Sequence, residues 1–240
     1  PSEFGALWTQ SLDEFVQSND NIAATQGGYW RPLYALSLTA DWAIWQDTAW
    51  LYHAENLVWH YLVVIGLFLI GLRLMVDTGF ERPERVAFWA AALFAAHPLG
   101  VHSVTWISGR KDLMCAAFAC CCLLAFERAC NTSVRKRRLL WTGASVASLL
   151  AATLCKELAL VTPLAAGIFL VVHHRRPIVT SLMTKLWIYA SLWLVVGLVG
   201  IYRWVVLGGF GLNAQPASES TLTNLGVSSG LMWHYLGRVV

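Results

Sequence analysis

Apolar residues in this chain gather in long runs, separated by short basic or polar connections. The runs extend from Leu57 to Val76, Val86 to Pro98, Leu113 to Phe126, Leu139 to Cys155, Leu158 to Val172 and Leu186 to Leu207. Segments apolar on all sides, and approaching the ~20 residues a helix needs to cross a bilayer, predict membrane-spanning helices rather than the one-sided helices of a soluble core. The first and last runs are long enough unaided. The second and third are short, because roughly 14 residues at about 1.5 Å rise cover only about 21 Å of a hydrocarbon core about 30 Å thick. Either they extend into their flanks or they form a re-entrant pair, and both arrangements return the chain to the same side. The stretch from Leu33 to Trp45 is apolar, too short to span and interrupted by Asp41, which predicts a helix lying in the interface. The expected fold is all-α: a polytopic membrane helical bundle of about six transmembrane helices, with interfacial helices in the first extracytoplasmic loop.

Composition supports the membrane reading and removes others. Of 240 residues, 57% are hydrophobic and 13% charged, against about 25% charged in average globular chains. The net charge of +3 is small and its basic residues sit between apolar runs, so nucleic-acid binding is excluded. With alternating spans, one set of connections carries Arg73, Arg82, Arg85, Arg128, Arg135, Lys136, Arg137, Arg138, Arg175, Arg176 and Lys185; the other carries Arg31, Arg110, Lys111, Lys156, Arg203 and Arg238. The positive-inside rule places the richer set in the cytoplasm. Three regions follow: residues 1–54 as an extracytoplasmic loop with the interfacial helix, residues 55–207 as a six-span bundle, and residues 208–240 as an extracytoplasmic loop leading into the start of a further helix. Trp42, Trp45, Trp50, Trp59, Trp106 and Trp204 fall near the outer interface, where an aromatic belt belongs. The six cysteines lack paired Cys-x-x-Cys spacing and read as small apolar filler. The chain opens at Pro1 in a polar stretch and closes in an uncapped apolar segment, so it reads as a fragment of a longer protein.

Any chemistry then belongs to the outer connections. The loop from His97 to Asp112 contains His97-Pro98, His102 and the triplet Arg110-Lys111-Asp112 at the mouth of a span, where charge is costly unless paired or serving a site. Pro98 disfavours helical geometry at His97 and ends the preceding run. Two adjacent cations suit a phosphate, since arginine offers a bidentate fork and lysine a compact charge. The alternatives are that Arg110 pairs with Asp112 or snorkels to headgroups. Lys156 and Glu157 lie on the same side, with Glu157 a candidate partner of Arg110. Arg31 adds a further cation, and His53, Asn56 and His60 form one helical stripe. That stripe, with His97 and His102, orients loops through hydrogen bonds; a divalent metal is the weaker alternative, because no carboxylate ligand stands at a suitable spacing. No metal site and no cofactor are assigned.

The motifs carrying these residues resemble, in order and separation, the multi-pass membrane half of the tetratricopeptide-repeat O-mannosyltransferases and their bacterial relatives, glycosyltransferases of the GT-C class. They are Tyr-Trp-Arg-Pro-Leu at 29–33, Tyr-His-x-x-Asn at 52–56 with His60, Ala-Ala-x-Phe-Ala-x-His-Pro-Leu at 91–99, Trp-Ile-Ser-Gly-Arg-Lys-Asp-Leu at 106–113, and Cys-Lys-Glu at 155–157 followed by Pro163. The resemblance implies a GT-C bundle that moves a sugar, mannose or a similar hexose, from a polyprenyl-phosphate donor to a hydroxyl acceptor on the extracytoplasmic side. Its partners would be the bilayer, the lipid-linked donor and a protein or lipid acceptor. Its location would be a bacterial plasma membrane or an endoplasmic reticulum membrane. Arg31, Arg110, Lys111 and Lys156 would bind the lipid phosphate, supported by His53, Asn56, His97, His102, Asp112 and Glu157. Two places depart from the family pattern. Gly100 and His102 stand where the family usually has a histidine and an acid after His-Pro, and Asp13, Glu14 and Asp20 do not match the acidic pair of the first outer loop. The catalytic carboxylate is therefore expected before Pro1. The competing readings are a transporter or flippase-like bundle with an outer anion vestibule, and a scaffold for an attached repeat array. Against the first, no span carries a charge at mid-membrane.

Overall fold

A computed structural model of the chain describes residues 30–76, 81–132, 134–174 and 178–207. The described residues are nearly all helical and contain no strand. Helix α1 spans Pro32–Trp45, α2 Ala49–Val76, α3 Pro83–Ala96, α4 Val101–Thr105, α5 Arg110–Asn131, α6 Arg135–Cys155, α7 Thr162–His174 and α8 Ile178–Leu207, with short 3-10 turns at Pro98–Gly100, Ile107–Gly109 and Glu157–Val161. Pro32 and Pro83 open α1 and α3 in the first turn, where a missing N–H costs nothing.

Helices α2, α5, α6 and α8 are long and apolar enough to cross a membrane. A fifth span exists if α3 and the segment Pro98–Thr105, bent by 53° from it, are taken together. The protein is an all-α membrane bundle. Each of the six apolar runs is helical, but they differ in length. The third extends through both flanks, so that Ile107–Asn131 reaches 25 residues. The second stays short and bends after His97, so the break lies within that run's own continuation and not between the second and third runs. The fifth is divided between the turn at Glu157–Val161 and α7; Glu157–Ile168 is a short apolar helix.

The outward surfaces are apolar, as lipid requires: Leu57 and Leu62 on α2, Trp89 and Leu93 on α3, and Leu198 and Val205 on α8 are all exposed. Packing inside relies on small side chains. Gly66 of α2 lies so close to α5 that a Cβ there would sit 2.6 Å from the Cys120 Cβ. Cys122, Phe126, Ala129 and Leu149 form one core with Ala166, Ile188 and Leu192, joining α5 to α8. Met114, Cys115, Ala152, Cys155 and Ala159 form a second core near the start of α5 and the end of α6. All six cysteines are free and five are buried, matching their reading as apolar filler. Trp42, Trp50, Trp106 and Trp204 are exposed at one end of the bundle, whereas Trp59 turns inward onto Phe118, 5.7 Å between ring centres.

Helix α1 is more than an interfacial cover. It packs against α2, α5 and α6 and buries Asp41. Gln46, with φ of 48°, turns the chain from α1 into α2, and its carbonyl accepts a hydrogen bond from the Tyr52 hydroxyl at 2.8 Å. Residues 1–29 and 208–240, together with Arg175 and Arg176, lie outside the described residues.

Candidate functional site

Arg110, Lys111 and Asp112 open α5. Successive helix residues point about 100° apart, so the three neighbours face three different partners. Arg110 points inward, fully buried. Its Nη1 pairs with Asp41 of α1 and lies 3.3 Å from Glu55 of α2. Its Nε donates to Asn56 Oδ1 at 3.1 Å and its Nη2 to the Tyr52 carbonyl at 3.3 Å. A guanidinium out of water at this depth is tolerable only with such a complete set of acceptors. The expected bridge from Arg110 to Glu157 is not formed, nor is the alternative pairing with Asp112.

Asn56 is fully buried and holds the loop between α3 and α5 to α2. Its Nδ2 donates to the Val104 carbonyl at 3.2 Å and the Trp106 carbonyl at 3.0 Å, while its Oδ1 accepts from Arg110. Gly109 completes this junction. A Cβ there would lie 2.5 Å from the Ser103 carbonyl oxygen and 2.8 Å from the Ser103 Cα, so only glycine lets the loop fold back over the start of α5.

Asp112 faces Lys156, and the two form an ion pair that links the start of α5 to the end of α6. Glu157 pairs with Arg31, whose Nη2 and Nε donate to its two carboxylate oxygens at 2.6 Å and 3.1 Å. Arg203 of α8 approaches the same carboxylate at 3.8 Å and donates to the Trp30 carbonyl at 3.0 Å. Partial burial works against ionisation of Glu157, but the Arg31 hydrogen bonds and the nearby Arg203 charge outweigh it and hold the carboxyl below its usual range. The sequence separation between Arg31 and Glu157 hides this pairing from any local reading.

Lys111 differs from these cations. Among the described residues it makes no ion pair. Its ammonium lies 5.9 Å from the centre of the Tyr34 ring and 5.8 Å from that of Trp106, both within cation–π range. Burial pushes the Tyr34 phenol up, against the opposing charges of Arg110 and Arg31, so it stays a neutral hydroxyl.

The histidines serve separate places. His97 takes the extended geometry that Pro98 favours, with ψ of 130°, and its Nδ1 accepts from the Leu99 N–H at 3.2 Å. His102 stacks on Trp106 at 4.8 Å, and His60 lies against Phe94 at 5.8 Å. His53 is half-buried on α2. No three metal-ligating side chains come together among the described residues, so the His53, Asn56 and His60 stripe does not assemble a metal centre there.

The structure thus gathers Arg31, Arg110, Lys111, Asp112, Lys156, Glu157 and Asn56 at one end of the bundle. Asp41, Glu55, Tyr34 and Arg203 also belong to this network but are not among the site residues expected from sequence. For Asp41 the signal was present: a carboxylate inside an apolar helix needs a partner for the same reason that Arg110 does.

Comparison with known proteins agrees with this set of motifs. The chain is 30% identical over 130 residues to protein O-mannosyl-transferase TMTC3 of Mus musculus, a match covering 53% of the chain and 13% of that protein. It is 34% identical over 147 residues to protein O-mannosyl-transferase Tmtc1 of Drosophila melanogaster, covering 59% of the chain and 15% of the relative. To Tmtc2 of the same species it is 27% identical over 172 residues, covering 69% and 17%. The chain therefore spans less than a fifth of the length of these relatives. No family model and no solved structure matches it. Sequence motifs and curated relatives agree that this chain is similar to the TMTC protein O-mannosyl-transferases, over a segment that folds as a membrane helical bundle.

Proposed function

We propose that the protein is a membrane glycosyltransferase. It moves a sugar, mannose or a similar hexose, from a polyprenyl-phosphate donor to a hydroxyl of a protein or lipid acceptor on the extracytoplasmic side. The names of its relatives support the reaction class. One observation carries the donor site: Lys111 lacks a carboxylate partner among the described residues, while Arg31, Arg110, Lys156 and Arg203 beside it are matched to acids. A lysine held between two aromatic faces, next to ion pairs that already balance their own charge, suits an incoming phosphate.

In the reaction, the bond between the sugar's anomeric carbon and the phosphate oxygen breaks, and a bond to the acceptor oxygen forms. The acceptor proton passes to a carboxylate acting as general base. The lipid phosphate leaves with added charge on its oxygen, which the Lys111 ammonium stabilises; Arg31 and Lys156 flank it. Direct contact between Arg110 and phosphate, expected from sequence, gives way to a positioning role, because its side chain is wholly enclosed and engaged.

The test uses the full-length protein in detergent, incubated with a panel of polyprenyl-phosphate sugars and scored for donor consumption. Lys111→Ala is expected to lower turnover at least tenfold, since loss of a charge-stabilising donor typically costs about 100-fold or more. Full turnover in that variant would remove the phosphate role. A folded protein that consumes no donor would favour the anion-vestibule reading.

A further inference from the structure

The opposite end of the bundle contains a cleft that the proposed transferase site does not use. It has a volume of about 550 Å³ and is lined by Arg73 at the end of α2, by Glu127, Arg128 and Asn131 at the end of α5, and by Arg137 and Trp141 at the start of α6. Three arginines and one carboxylate line it. That carboxylate is buried and already accepts from the Asn131 Nδ2 at 2.5 Å. Arg128 lies over the Trp141 ring at 5.1 Å, so its charge is held at the wall of the cleft. The turn that forms the floor is pinned, because Arg138 donates two hydrogen bonds, at 3.1 Å and 2.9 Å, to the Thr132 carbonyl.

The geometry points to a binding site for the phosphate headgroup of an anionic phospholipid. The lining residues lie within the last or first two turns of long apolar helices or at the connection between them, the level at which a headgroup would sit. Apolar Leu140, beside the arginines, offers a surface for the start of an acyl chain. Basic clefts between membrane helices at one leaflet are the expected receptors for anionic headgroups, and a tryptophan at the same level suits the interface.

The test measures binding of phosphatidylglycerol to the purified, delipidated full-length protein by native mass spectrometry, with phosphatidylcholine and inorganic phosphate in parallel. Phosphatidylglycerol is expected to bind selectively. An Arg128→Gln, Arg137→Gln double variant is expected to bind it about 25-fold more weakly, two basic residues near an anionic headgroup contributing about 1 kcal/mol each. Both side chains are exposed, so the fold should survive. An Arg82→Gln, Lys136→Gln variant, with the same charge loss off the cleft, should bind normally. Equal binding of phosphatidylcholine, or equal weakening in both double variants, would overturn the site. Inorganic phosphate competing at equal concentration would overturn the lipid assignment.

Discussion

Arg110 and Asp41, separated by 69 positions in the chain, form a buried ion pair that fastens α1 to the mouth of α5. Both side chains are almost wholly withdrawn from solvent, so each depends on the other for compensation. Removing Asp41 leaves an enclosed guanidinium with Glu55, 3.3 Å away, as its remaining anion. Asp41→Ala is expected to destabilise the protein by about 3 kcal/mol, the lower end for breaking a buried pair. An Asp41→Leu, Arg110→Met double variant should recover most of that loss, because neither buried charge remains and the Glu55 carboxylate, 30% exposed, keeps access to water. Denaturant titration in detergent measures both.

Asn56 binds two loop carbonyls and Arg110 at once. Asn56→Ala is expected to cost about 2 kcal/mol, since three polar groups lose their partner. Asn56→Asp should not rescue it, because a carboxylate satisfies Arg110 but cannot donate to the Val104 and Trp106 carbonyls. Protease accessibility of residues 98–109 reports the loop, and thermal unfolding reports the whole fold.

Glu157 is held below the usual carboxylate range by Arg31 and Arg203. A depressed folded value means the pair contributes fully above the unfolded carboxylate range near about 4.3. Its contribution then fades as pH falls through the lower folded value. Wild type and Glu157→Gln should therefore differ most in stability near neutral pH and converge in acid. The carboxylate is 39% exposed, so raised salt should shrink the neutral-pH difference.

Gly109 and Gly66 tolerate no side chain for different reasons. At Gly109 the obstacle is backbone, the Ser103 carbonyl and Cα, which cannot rotate away. At Gly66 it is the Cβ of Cys120 on a neighbouring helix. Gly109→Ala and Gly66→Ala should each cost about 1–3 kcal/mol. Adding Cys120→Gly should relieve the second and leave the first unchanged. Melting curves of the two single variants, and of each combined with Cys120→Gly, separate the cases.

Much of the architecture is local information. The length and all-round apolarity of the runs from Leu57 and Leu186 specify membrane helices, because a bilayer core demands about 20 apolar residues whatever the tertiary packing, whereas the short run from Leu113 reaches that length only by recruiting both its flanks. Pro98 determines the extended geometry at His97 by local sterics alone. The charged groups at this end of the bundle were legible as a set, since each charge beside an apolar run needs a reason. Which cation meets which acid was not. Arg31 with Glu157, and Arg110 with Asp41, are matched by how α1 settles against α2, α5 and α6. Coulomb attraction does not distinguish one carboxylate from another; only distance and burial do, and these belong to the packed bundle. The same packing encloses Arg110 and leaves Lys111, its immediate neighbour, half-buried between Tyr34 and Trp106, because a single helical step of about 100° carries a side chain away from the interior.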